Sequence, residues 1–387
     1  MSHQSRARGL TVLLFVAFTL FAGVRAAAES LHVSPIRGAS AILIEPTTGQ
    51  VLHEQNPDLP RSPASIAKLM LELIVVERLQ SGELRLDEPV RVSGTASRIG
   101  GSQAYLAQDE VFMLEDLMKA IVIASANDAC AAIAEHIAGS CDGFVDLMNL
   151  RARQLGLENT YYRNVHGLDD EPGAGNLTTA RDISTIARRL VALPHVLEWS
   201  QISEAPFRNG TFILRNTNKL LGRFPGMDGL KTGYTRKAGW CLCATAERNG
   251  LRLVSVVMGA DSEKLRFAES ARLLGSGFAQ LRREVIAEAG TPFGAPVRVS
   301  GGHPESVQAR PAETLAVVLT RGVQAPDVKL IPRAALRAPL AAGDTVGVYE
   351  VVTGTGEPVR VAAVAAVAVK RASIFQRFAG MLRPKRD

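Results

Sequence analysis

The chain has 387 residues, 47% of them hydrophobic and 21% charged, which excludes global disorder and leaves room for two or more domains. Its net charge of +6 resides at the two ends: three arginines fall in residues 1–26 and six basic residues in 370–387, and the remainder carries 35 basic and 37 acidic residues. A basic stripe suited to nucleic acid is therefore excluded from the body of the chain.

In chain order, the first element is a leader. Arg6 and Arg8 precede an apolar run, Leu10 to Val24, and then the small residues of "VRAAAES". This reads as a secretory signal peptide over residues 1–26, cut after Ala26, with Ala28 as the alternative and an uncleaved anchor as the rival reading. "SAILIEPTTGQVLHEQN" follows as a strand, a turn at Pro46 to Gly49 and a second strand.

The next helix is apolar nearly all round, from Leu69 to Leu79, and Gly82 ends it; Ser62 is its expected N-cap, with Pro63 at the first helical position. Such a helix belongs in the interior. It nevertheless carries Lys68, three residues after Ser65 and on the same face, and Lys68 reads as its one charge without a route to water. Serine is a poor nucleophile without a base, and a lysine becomes that base when burial disfavours its ammonium. Ser65 sits in the first turn, where backbone N–H groups face outward toward a ligand. The plain alternative is a capping serine and a snorkelling lysine.

Residues 114–138 read as two helices broken at "SANDAC", 141–155 as a third, and "TTARDISTIARRLVAL" as a fourth with a threonine cap. Asn209-Gly210 and Asn249-Gly250 mark hairpins. Strands are expected at about 229–236, 239–247 and 251–259, and a helix at 262–281. Two further polar groups stand out: "SAN", Ser125 to Asn127, at the helix break, and "KTG", Lys231 to Gly233, on a strand. Alone, the first is an ordinary helix cap and the second an edge of a sheet. Gly233 is unusual in a strand unless something approaches its backbone closely.

From residue 284 helical periodicity gives way to Gly, Pro and Val with strand-like runs, a small all-β domain over 284–369. In the last segment, 370–387, Ile374, Phe375, Phe378, Met381 and Leu382 share one helix face, with Arg371, Arg377 and Arg383 off it. This is the pattern of an amphipathic helix lying on an anionic membrane surface through residues 371–386; the alternative is a helix packed on the β domain. Cys130, Cys141, Cys241 and Cys243 lack zinc spacing, so no metal is expected. Buried free thiols are the expectation, with a Cys130–Cys141 pair left open.

Taken together and in order, Ser65-x-x-Lys68, Ser125-x-Asn127 and Lys231-Thr232-Gly233 resemble the motif set of the active-site-serine penicillin-recognising enzymes. "RSPASIAKLM", "SANDACAAIAEHIAGS", "NVHGLDD", "GMDGLKTGYTRKAGWCL" and "VVMGA" are similar to the low-molecular-mass D-alanyl-D-alanine carboxypeptidases of the S11 type, over about residues 31–283. The resemblance implies an α+β fold: a β-lactamase/transpeptidase-like domain of antiparallel sheet and helical cluster, followed by the all-β domain and the terminal amphipathic helix. It also implies an exported, periplasmic enzyme that removes the terminal D-alanine from peptidoglycan stem peptides without a cofactor and is inactivated by β-lactams.

Roles follow the resemblance position by position. Ser65 would be acylated, Lys68 would be the general base and Ser125 the proton relay to the leaving D-alanine. Asn127 would hold Lys68 and the substrate amide, and Lys231 would keep the site positive. Thr232 would bind the terminal carboxylate, Gly233 would let substrate lie against the strand edge, and the N–H groups of Ser65 and Tyr234 would form the oxyanion hole. Tyr234 departs from the histidine of many relatives, which predicts a change of rate or preference. A muropeptide endopeptidase would use the same residues. A β-lactamase would need a Glu-x-x-Leu-Asn deacylating element, and "EPGAGN" does not supply it. His166 beside Asp169 and Asp170 lacks the G-x-S-x-G context of a histidine-based hydrolase and reads as a loop or core residue. A non-catalytic penicillin-binding scaffold would be expected to lack part of the motif set.

Overall fold

The computed structural model describes residues 31, 33–169, 175–352 and 358–373. The expected leader and the apolar face of the tail helix lie outside the described residues.

Strands β1 (Ser40–Glu45) and β2 (Gln50–Gln55) form the first hairpin. Its turn is locally determined. The Glu45 carboxylate accepts hydrogen bonds from Thr47 N, Thr48 N and Thr48 Oγ1 at 2.7, 2.8 and 2.6 Å, and Gly49 takes a φ of +76°. Helices α1 (Lys68–Ser81), α2 (Leu114–Ala124), α3 (Asn127–Ala138), α4 (Cys141–Gln154), α5 (Ala180–Leu190) and α6 (Val196–Ser200) follow. Two small antiparallel pairs accompany them, β3 (Pro89–Arg91) with β4 (Val111–Met113) between α1 and α2, and β5 (Glu204–Phe207) with β6 (Phe212–Arg215) after α6. Then come β7 (Met227–Thr235), β8 (Gly239–Arg248), β9 (Leu251–Ala260) and α7 (Glu263–Gln280).

The five-stranded sheet has the order β2-β1-β9-β8-β7, with every neighbouring pair antiparallel. Chain from before and after the helices thus meets in one sheet, as the sequence pattern predicts. Asn249 and Gly250 both have positive φ and join Arg248 to Leu251, the geometry that a tight hairpin of right-handed strands requires. All six residues of β1 are buried, so "SAILIE" shows no alternation of polarity. Alternation survives only as a choice of core. Ile42 and Ile44 join the helical cluster on one face, while Ala41 and Leu43 pack with Phe267, Leu273 and Phe278 of α7 on the other.

The described residues from 287 to 369 hold a further hydrophobic core, built around Val297, Val299, Val317, Tyr349 and Ala363, and their regular elements are strands. Leu281–Ala287 begins directly after α7 and pairs with Leu315–Thr320. Ala309–Pro311, Val359–Ala365, Thr345–Val351 and Val328–Pro332 make a four-stranded sheet in that order. Lys370 and Arg371, which the sequence reading places in the tail segment, pair as a short strand with His303 and Gly302.

The helix after β2 begins differently from the sequence expectation. Ser62 does not cap it: Ser62 Oγ donates to Asp169 Oδ1 at 3.0 Å, and a 3₁₀ turn over Ala64–Ala67 precedes α1. The cause is Ala64, whose φ of +48° lies in the left-handed region and interrupts a regular α-helical start. Gly167 (φ +87°) is packed so tightly behind this turn that a Cβ there would lie 1.9 Å from the Ala64 carbonyl oxygen. The loop containing His166 therefore braces the residue before Ser65. His166 is buried, its backbone N–H donates to Asn164 Oδ1, and its Nδ1 accepts from Leu168 N, a structural loop role.

Candidate active site

Lys68 is the first residue of α1 and has no exposed surface. Its Nζ lies 2.8 Å from Ser65 Oγ, 2.6 Å from Asn127 Oδ1, 3.0 Å from the Ser125 carbonyl oxygen and 3.2 Å from Ser125 Oγ. Two of these four neighbours, the amide oxygen and the carbonyl, can only accept. The other two are hydroxyls, which can accept or donate. A neutral amine satisfies the set with two N–H bonds to Asn127 and Ser125 O, leaving its lone pair toward a hydroxyl proton. Burial pushes the Lys68 ammonium down to about 8, against the smaller opposing effects of Cys130 and Asp128. About a tenth of the molecules then hold the neutral base at pH 7.

Ser125 reaches Lys68 because α2 ends on it in a left-handed conformation, φ +63°. For a residue other than glycine that costs about 1–3 kcal/mol unless the surroundings impose it. Here the strain turns both Ser125 oxygens toward the lysine. Asn127 opens α3, and its Nδ2 donates to the Gly100 carbonyl at 2.7 Å, so one amide ties Lys68 to the 100–106 segment. Asp128, next to it and buried, accepts from the N–H groups of Ala104, Leu106 and Ala129 and fixes that segment. Sequence reasoning did not single out Asp128, although a carboxylate directly after Asn127 in a buried first turn is a visible signal.

β7 is the edge of the large sheet and brings Lys231, Thr232, Gly233 and Tyr234. Lys231 is buried, and its Nζ donates to the Thr232 carbonyl at 3.2 Å. Burial first, and the Lys68 charge second, lower its pKa well below the ordinary lysine value. Thr232 Oγ1 donates to Thr217 Oγ1 at 2.6 Å, a partner that no sequence pattern announced. A Cβ on Gly233 would meet Pro63 O at 2.9 Å, Ala64 Cβ at 3.1 Å and Ile66 N at 3.1 Å. The close approach expected at this glycine is thus made by the turn carrying Ser65: Gly233 is required for β7 to lie against the nucleophile.

Tyr234 is half exposed and stacks on Trp240 with ring centroids 4.0 Å apart. Arg266 of α7 lies 4.8 Å from the Trp240 ring centre and donates to the Gly233 carbonyl at 3.1 Å. Trp240 and Arg266 escape a motif search because they reach the site only through strand pairing and packing across the sheet. The expectation that Lys68 is the only sequestered charge of its helix needs correction: Glu72, one turn on, is 2% exposed. All four cysteines are free; Cys130, Cys241 and Cys243 are buried and Cys141 is partly so.

This geometry is a serine whose hydroxyl contacts a buried lysine, a second serine on the same lysine and a second buried lysine on the adjoining strand. Residues 26–262 match the Peptidase S11 family model, described as D-alanyl-D-alanine carboxypeptidase. The chain is 35% identical to the D-alanyl-D-alanine carboxypeptidase DacF of Bacillus subtilis (strain 168), covering 80% of this chain and 79% of that one. Among solved structures it is similar to the peptidoglycan synthesis regulatory factor PBP3 of Streptococcus pneumoniae, with a TM-score of 0.78, 28% identity and coverage of 87% and 100% of the two chains. It is also similar to penicillin-binding protein D2 of Listeria monocytogenes in an ampicillin-bound form, with a TM-score of 0.58, 32% identity and coverage of 63% and 98%.

Proposed function

The chain belongs to the S11 family of D-alanyl-D-alanine carboxypeptidases, and from that premise we propose how its residues share the reaction. The protein is a serine-type carboxypeptidase of the cell wall. The observation that carries the assignment of roles is the contact of Lys68 Nζ with Ser65 Oγ, with Asn127 and Ser125 occupying its remaining directions.

In acylation, neutral Lys68 takes the Ser65 proton while Oγ attacks the carbonyl carbon of the penultimate D-alanine of a pentapeptide stem. The oxyanion is met by the backbone N–H groups of Ser65 and Tyr234. As the tetrahedral intermediate collapses, the peptide C–N bond breaks and the proton passes from Lys68 through Ser125 Oγ to the departing amine. Lys231 and Thr232 bind the terminal carboxylate, the peptide lies along the edge of β7, and Gly233 lets that strand pack against the turn carrying Ser65. Water, deprotonated by Lys68, then attacks the ester carbonyl; as the C–O bond to Ser65 breaks, Lys68 passes the proton to Ser65 Oγ and the shortened peptide leaves as its carboxylic acid. A β-lactam follows the first half of this path. Its ring amide opens, but the leaving nitrogen stays tethered over the site and obstructs water, which leaves the protein inactivated.

Digestion of purified muropeptides followed by mass spectrometry tests the reading. The expected product is a pentapeptide stem shortened by a single D-alanine. Cleaved cross-links with intact pentapeptides would instead establish the endopeptidase reading.

We place the enzyme outside the cytoplasm, exported by residues 1–26 and held at an anionic membrane surface through the part of the tail that follows the Lys370–Arg371 strand, up to residue 386. The supporting observations are the basic and apolar leader and the one-sided apolar pattern of Ile374, Phe375, Phe378, Met381 and Leu382. Removal of residues 374–387 is expected to move the protein from the membrane to the soluble fraction of a cell lysate with penicillin labelling intact. Unchanged fractionation would end the surface-helix assignment.

A further inference from the structure

An oxyanion site is effective when its N–H groups are aimed before substrate arrives, and one of the two assigned above belongs to an edge strand. The Tyr234 N–H is part of the peptide unit that joins Gly233 to Tyr234 on β7. That unit is trans, and a trans peptide is planar with its carbonyl and its N–H pointing in opposite directions. Whatever grips the Gly233 oxygen therefore sets the direction of the Tyr234 N–H.

Arg266 of α7 grips it. Its Nη1 donates to the Gly233 carbonyl at 3.1 Å in a buried position. Its guanidinium carbon lies 4.8 Å from the Trp240 ring centre and 4.7 Å from that of Phe267, and its Nη2 is 3.3 Å from Glu263 Oε1. Trp240 is the β8 residue opposite Tyr234, and the two rings stack. Arg266 thus approaches the carbonyl from the side of β8, which leaves the Tyr234 N–H toward the free edge of β7.

Burying this cation is costly. Its side chain is 5% exposed, and its Nε is enclosed without a hydrogen-bond partner among the described residues. An unbranched apolar side chain would cover Trp240 and Phe267 without that cost. What the guanidinium adds is the bond to Gly233. A charged donor makes a hydrogen bond about twice as strong as a neutral one. A bond at the carbonyl end of an amide also polarises it, strengthening the bond made by the N–H end by roughly 10–30%. The same burial argues against direct contact with substrate. With Nη1 and Nη2 both engaged, the side chain is not presented to a substrate carboxylate, which Lys231 and Thr232 are placed to take.

We propose that Arg266 is a positioning residue for the oxyanion site: its bond to the Gly233 carbonyl orients and polarises the Gly233–Tyr234 peptide so that the Tyr234 N–H meets the oxyanion, without Arg266 itself touching substrate. This rests on the roles assigned above to Ser65 and to the Tyr234 N–H.

The test compares the second-order rates at which benzylpenicillin and its methyl ester acylate Ser65, each expressed per molecule finally labelled so that unfolded protein drops out. Arg266→Met keeps the packing on Trp240 and Phe267 and removes the donor. Both rates are expected to fall together, by about tenfold or more, a part of the loss that follows when an oxyanion donor is removed outright. In D-alanine release, kcat falls by a similar factor while KM stays within about twofold, because the oxyanion forms only after binding. Trp240→Leu, which leaves Arg266 in place but takes away the ring that holds it, is expected to lower both rates in the same proportion, and serves if the methionine variant does not fold. A side chain that binds the substrate carboxylate would slow the acid and spare the ester. A purely structural one would lower the melting temperature and leave both rates per labelled molecule unchanged. Either result overturns the proposal, as does a rise in KM with kcat intact. Wild-type protein that captures neither compound would instead refute the function on which the inference stands.

Discussion

Ser65→Ala is expected to abolish covalent capture of a fluorescent penicillin and to reduce D-alanine release by at least about ten-thousandfold, the scale on which loss of a nucleophile is felt. The side chain is a small part of the fold. Ser65 is partly exposed in the 3₁₀ turn, and its hydroxyl contacts Lys68. Alanine keeps the turn, and Lys68 retains Asn127 Oδ1 and both Ser125 oxygens as neighbours. The melting temperature is therefore expected to stay within a few degrees of wild type, so that loss of labelling cannot be ascribed to unfolding. Gel fluorescence after incubation with the labelled penicillin, paired with a thermal melt, reads both quantities. Labelling of the alanine variant equal to wild type would remove Ser65 from the reaction and with it the acyl-enzyme path.

What the sequence discloses and what it conceals divide along a physical line. Elements whose information is local were legible. The hairpin at Asn249-Gly250 follows from two positive φ angles that asparagine and glycine tolerate, and the buried character of α1 follows from an apolar run broken only at Glu72 between Leu69 and Val76. Ser65, Lys68, Ser125 and Asn127 could be nominated because their spacing is short and their types are chemical, and the structure brings the four together around one nitrogen.

Features that depend on packing were not legible. Nothing in "SPAS" requires Ala64 to be left-handed; the tight approach of Gly167 to its carbonyl accompanies that conformation, and the interrupted helix start follows from it. The oddity of a glycine at 233 in a strand points to a close approach, but the approaching group is the turn carrying Ser65 rather than a substrate strand, a contact across more than 160 residues. Glu72 was hidden for a different reason. An acid in an apolar helix ordinarily turns to water at a helix edge, and only the burial of Glu72 in the fold shows that it has no such edge.

Lys68→Met is the substitution with the second largest expected effect, a fall of about a hundredfold to ten-thousandfold in acylation rate, the range that a positioned general base contributes. Methionine fills the same unbranched volume, so the apolar packing of α1 is largely kept. The loss of two acceptor contacts, to Asn127 Oδ1 and the Ser125 carbonyl, costs about 1–3 kcal/mol for each acceptor left dry. Against this stands the removal of an amine whose charge burial already disfavours, so the net change in stability is smaller than that sum. The diagnostic is the pH dependence. Lys68 in the folded protein loses its proton at about 8, below the ordinary lysine value, and only the neutral form accepts the Ser65 proton. Wild-type acylation should therefore climb roughly tenfold per pH unit up to about pH 8 and then level off. Without the amine that climb disappears, and the residual rate follows hydroxide alone, rising without a plateau. Rapid-quench acylation by benzylpenicillin from pH 6 to 10 separates the two shapes. A methionine variant that keeps the plateau near pH 8 would assign the base to another group, and among the residues placed here Lys231 would be the first to examine.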